Sequence, residues 1–115
     1  MTDRELLELA AKAIDQNIIG WSKDWHNEGC EVGHLVQDKL HGFYVEWNPL
    51  NYDGDAFRLA GKLGLIVHFA TPNIGEDVHI QFFDIEISEP VGDDSLAAAR
   101  RAIVLAAAEI GKELV

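Results

Sequence analysis

The side chains whose types and spacing suit binding chemistry lie in one stretch, from Trp47 to Gly64. Trp47 offers a flat face for stacking, Asn48 a paired donor and acceptor, and Arg58 a forked cation. Asp53 and Asp55 flank Gly54 where a helical pattern begins. A carboxylate there caps a helix, and the positive end of the same helix receives an anion. Trp47, Asn48, Asp53, Asp55 and Arg58 are therefore the candidate ligand-binding residues. The alternative reading of the same stretch stays open: Trp47 in the core, Asn48 and Pro49 in a turn, and Arg58 and Lys62 solvated.

Other chemistries find less support. The histidines His26, His34, His41, His68 and His79 are scattered, with no helical i, i+4 pair, and Cys30 has no second cysteine beside it. Asn51, Asp53 and Asp55 are spaced like the first ligands of a calcium loop. Ala56, however, stands where the loop needs glycine, and Lys62 where it needs a bidentate acid. Asp84 and Glu86 share one face of an expected strand, as a carboxylate pair or as an ordinary solvated face. Ser22, Ser88 and Ser95 lie in no nucleophile elbow, and no phosphate-binding glycine motif occurs. No catalytic residue, metal or cofactor is assigned, and the chain is not read as an enzyme.

The elements that must position the candidate residues follow from periodicity. With 115 residues and 48% hydrophobic content, residues 1–115 form one domain with one core. Thr2 and Glu5 make a capping box for a first helix from about Asp3 to Asp15, with Leu6, Leu9, Ala10 and Ala13 on one face. Periodicity disappears from Gln16 to Gly33, which reads as an ordered loop, with Trp21 and Trp25 either closing the core or facing a partner. Val32 to Gln37 and His41 to Asn48 form a hairpin around Asp38-Lys39. Pro49 ends it, Asp53 or Asp55 caps a second helix with Ala56, Leu59, Ala60 and Leu63 inward, and Gly64 stops that helix.

Leu65 to Ala70 reads as a strand buried on both faces. Val78 to Ser88 reads as one strand whose apolar register switches near Phe82 and Phe83, suggesting a bulge. Asp93 or Asp94 then caps a long alanine-rich helix that includes Leu96, Ala99, Ile103, Ala106, Ala107, Ile110 and Leu114. The expected class is α+β, in the order α-β-β-α-β-β-α. A four-stranded, mostly antiparallel sheet lies between three helices as a three-layer α/β/α sandwich.

Twenty acidic against nine basic residues give a formal net charge of -11, which opposes direct binding to nucleic acid or an anionic membrane. A lone cysteine, no signal-peptide pattern and no apolar run of membrane-spanning length make the cytoplasm the expected location. The surplus aromatics Trp21, Trp25 and Phe43 leave room for a homodimer.

Three blocks in the chain resemble a family of small phage and prophage proteins, the phage ABA sandwich domain. They are Thr2 to Ala13, Trp47 to Gly64 and Ala97 to Gly111, roughly two fifths of the sequence. The Trp-Asn-Pro-Leu turn leading into Asp-Gly-Asp-Ala is the specific one. Ile14 to Gly42 looks unlike the family, and Gly61 stands where a bulkier side chain is expected. The resemblance implies the α/β/α sandwich and a phage origin, with no catalytic residues to carry over. Small phage accessory proteins often act against host defences by binding. The expected function is thus counter-defence in the host bacterial cytoplasm, by sequestering a small nucleotide-like signal or by binding a host defence protein. The alternatives are an acidic nucleic-acid mimic that blocks a host nucleic-acid-binding protein, and a small hydrolase.

Overall fold

The computed structural model of the chain describes residues 2–24, 30–36, 44–69, 77–92 and 94–114. The protein is α+β, with helices α1 (Asp3–Ala13), α2 (Asp53–Leu63) and α3 (Ser95–Glu113). Its strands are β1 (Ile18–Asp24), β2 (Cys30–Val36), β3 (Tyr44–Trp47), β4 (Ile66–His68), β5 (Asp77–Phe82) and β6 (Ile85–Pro90). They form two three-stranded antiparallel sheets, β1-β2-β3 and β4-β5-β6. The described residues thus contain six strands where the periodicity suggests four.

The helices follow the local rules that predict them. The Thr2 hydroxyl accepts the Glu5 N–H at 3.2 Å and opens α1. That helix stops two residues before the expected Asp15, which adopts φ 55°. A short polar residue tolerates this left-handed conformation well. Asp94 caps α3, its Oδ1 accepting the Leu96 and Ala97 N–H groups, and Gly64 closes α2 at φ 72°. One capping expectation is corrected. Neither Asp53 nor Asp55 caps α2: the cap residue is Tyr52, which makes no side-chain capping bond. Both carboxylates are drawn elsewhere, as described below.

The strands depart further from the sequence reading. Part of the Gln16–Gly33 stretch is strand β1, paired with β2 from Ile18 opposite Leu35 to Asp24 opposite Cys30. A register shift between Ile18 and Gly20 breaks the alternation that would have revealed it. Trp21 lies opposite Gly33, packs against the core and has the Arg4 guanidinium 5.1 Å above its ring. Trp25 and the Asp38-Lys39 turn lie outside the described residues. The Leu65–Ala70 run holds only the short strand β4, and it is an edge strand with Ile66 and His68 exposed rather than one buried on both faces. Val78 to Ser88 is a hairpin: Phe82 pairs with Ile85 across a two-residue turn, Phe83-Asp84. The register switch falls where the sequence places it, but the chain reverses there.

Helix α3 organises the core. It packs against α1, α2, β5 and β6, and buries Ala98, Ala99, Ala102, Ile103, Val104, Ala106, Ala107 and Ala108. So many alanines let neighbouring backbones approach closely, which suits a chain with only a modest stock of large apolar side chains. Leu96 and Leu114, which share the helical spacing of the buried residues, are exposed at the two ends of the helix.

Candidate functional site

The turn between β3 and α2 is built around a buried asparagine. Asn48 is fully buried, and its Oδ1 accepts the Leu50 N–H at 3.1 Å, a local turn that only a short side-chain acceptor makes. Its carbonyl accepts the Asn51 N–H at 3.2 Å and the Tyr52 N–H at 2.9 Å. Its own N–H donates to Asp55 Oδ2 at 2.9 Å. The other carboxylate oxygen of Asp55 accepts from Arg58 at 2.6 Å, one helical turn on. Asp55 therefore ties the end of β3 to the first turn of α2 and holds the Arg58 guanidinium beside Gly54.

A second clamp comes from α3. Arg100 donates from Nε to the Leu50 carbonyl at 2.9 Å and from its guanidinium to Asp53 at 2.6 Å. Its side chain is largely buried. Arg101 lies at the surface, 3.5 Å from Glu89 and 3.6 Å from Asp3. Replacing Arg100 by alanine should cost about 1.5–2 kcal/mol, mostly the charged hydrogen bond to Leu50, because Asp53 is half exposed and its ion pair is screened. Arg100→Lys should recover only part, since lysine cannot make both bonds in a fork. Denaturant midpoints measure this, and a loss below about 0.5 kcal/mol would remove Arg100 as a clamp.

Beside this turn opens a cleft of about 270 Å³. Trp47, Leu59, Val45 and Ile14 supply its apolar lining, with Gln16 from the segment before β1. Arg58 and Lys62 stand on the α2 side, with Glu46 and Asp55 as the acidic members. The Arg58 side chain is 74% exposed although one nitrogen is held by Asp55, so most of its donors face outward. Two cations against two carboxylates leave the lining nearly neutral. Such a lining does not attract a polyanion. The volume lies just below the usual range of small-molecule sites, about 300–1,000 Å³.

Of the five candidate residues, Trp47, Asp55 and Arg58 line the cleft, Asn48 is buried in the turn beside it, and Asp53 pairs with Arg100. Trp47 is only 7% exposed, so it forms wall and core rather than an open stacking platform. Asn48 acts on the backbone of its own turn. An anion at the start of α2 is disfavoured, because Asp53 and Asp55 already occupy its first turn. Ile14, Gln16 and Val45 were missed as cleft residues because folding, not sequence proximity, brings them to α2. Lys62 carried the available signal, the i, i+4 spacing from Arg58.

The remaining candidates do not converge. Asp84 lies in the β5–β6 turn and Glu86 in β6, so they do not share a strand face; Glu86 accepts from Gln81 at 3.3 Å. On the exposed face of the same sheet, His68 stands opposite His79 in register. His79 Nδ1 and Ser88 Oγ are 2.8 Å apart, and His68 Nε2 and Gln81 Oε1 3.3 Å apart. Among the described residues, no three His, Cys, Asp or Glu side chains are grouped so as to hold a metal. None of their helices is long and apolar enough to cross a membrane. No known protein family, curated protein or solved structure matches the chain.

Proposed function

We propose that this chain is a phage or prophage accessory binding protein of the ABA sandwich type. In this reading it counters a host defence in the bacterial cytoplasm by holding a small, flat ligand in the cleft beside Trp47. The observation that carries the ligand part is an apolar cleft with two exposed cations, Arg58 and Lys62, on one helix face at its rim. The family part rests on the resemblance of the three sequence blocks, and extends to the stacking of the sheets between helices in α/β/α layers. The ligand is a single nucleobase-like or other aromatic ring bearing one anionic group. The ring lies against Trp47 and Leu59, and the anion faces Arg58 and Lys62.

Native mass spectrometry of protein purified from phage-infected cells, followed by extraction and identification of any bound small molecule, tests this directly. Titration of the extracted ligand into the double variant Arg58→Ala, Lys62→Ala should then show a loss of about 1.5–3 kcal/mol, the range for hydrogen bonds to charged groups. Both side chains are exposed, so the fold should survive unchanged. Protein that emerges without ligand, or a ligand bound equally well by the double variant, would reject the cleft as the site.

A further inference from the structure

The β5–β6 hairpin ends in a residue that the cleft does not involve. Phe83 occupies the first position of the two-residue turn at φ 51°, and it is 92% exposed. Hairpin turns that need a positive φ there normally take glycine, because a Cβ is crowded in that conformation. A phenylalanine at this point is unfavourable for the isolated fold in two ways: its backbone is strained and its ring stands in water. Its ring meets that of Phe82 edge-on, with centroids 4.7 Å apart and planes at 85°.

The surroundings define what would meet it. Ile66, 54% exposed, lies opposite Gln81, and Gln81 opposite Glu86, which places a second apolar residue at the same end of the sheet. Asp84 and Glu86 are exposed beside them. From Phe82 to Ile87 the hairpin tip carries these two carboxylates and no lysine or arginine. We infer that the hairpin tip docks on a basic protein surface, with Phe83 entering an apolar pocket and Asp84 and Glu86 meeting the lysines or arginines around it. An aromatic anchor inside a ring of charge is the usual arrangement of a small, energetically concentrated interface. A second copy of this chain, a nucleic acid or an anionic bilayer would meet the same carboxylates with repulsion.

The test uses the full chain with p-benzoylphenylalanine at position 83, irradiated in the producing cells. The crosslinked protein is identified, purified and titrated with the unmodified chain and with three variants. A basic partner is expected, with Phe83→Ala weakening binding by about 30-fold or more, as for a central aromatic anchor. The double change Asp84→Lys, Glu86→Lys should weaken it by about tenfold and flatten its salt dependence. Phe83→Gly should weaken binding as much as alanine does while raising the melting temperature, since glycine relieves the turn. Absence of a crosslink, or crosslinks only to a second copy, lipid or nucleic acid, would overturn the inference. So would affinity unchanged by Phe83→Ala or by the double lysine variant, or a melting temperature lowered by Phe83→Gly, which would make Phe83 a residue of the fold.

Discussion

Replacing Gly111 by alanine should destabilise the protein by about 2 kcal/mol, although alanine is the better helix former. Gly111 lies in the last turns of α3, fully packed against α1. A Cβ built on it would overlap the Leu9 carbonyl oxygen and stand 2.8 Å from its carbonyl carbon. Both atoms belong to the backbone of α1, so no side-chain rotation relieves the overlap; the two helices must move apart. Overpacking of this kind costs about 1–3 kcal/mol and occasionally more, and here the separation also opens gaps around Leu7, Ala10 and Ala107. The intrinsic helix preference of alanine returns about 1 kcal/mol, which is too little to change the sign. For a domain of this size the loss should lower Tm on the order of 10 °C by differential scanning calorimetry. Gly61 provides the internal control. It sits in α2 with nothing within 4 Å of its Cβ position, so Gly61→Ala should stabilise by up to about 1 kcal/mol. If the two glycines respond alike, close approach of α1 and α3 is not what Gly111 provides.

The same contrast explains which parts of the fold could be read in the sequence. The helices were legible because their signals are local: Thr2 with Glu5, Asp94 before its helix, and Gly64 after α2 all act within a turn of the residues that they cap. Strand β1 was not, because Gly20 and the register shift after Ile18 remove the alternation. The β5–β6 turn was located but misread as a bulge, because a phenylalanine stands where hairpins of this kind place glycine. In the site, residue types were legible and partners were not. Asp53 and Asp55 look alike by position, yet one meets Arg100 across 47 residues and the other a backbone N–H seven residues back. Gly111 was counted within an alanine-rich helix, and nothing in that pattern names Leu9 as its neighbour.

Asp55 is where fold and candidate site can be separated, and its removal carries the second large expected effect. In Asp55→Ala the Asn48 N–H loses its acceptor at a position with no solvent access, which costs about 1–3 kcal/mol. Loss of the pair with Arg58 adds at most about 1 kcal/mol, because that arginine is mostly exposed and well screened. The expected total is about 2–3 kcal/mol, measured as a shift in denaturant midpoint at unchanged slope. Asp55→Asn retains an oxygen able to accept from Asn48 and should lose only about 1 kcal/mol, and Arg58→Ala less than about 0.5 kcal/mol. This ordering assigns Asp55 to the turn and leaves Arg58 available to a ligand. If Arg58→Ala instead matched Asp55→Ala in stability, the ion pair would be the structural element. The guanidinium at the cleft would then serve the fold, and the case for a ligand anion there would rest on Lys62 alone.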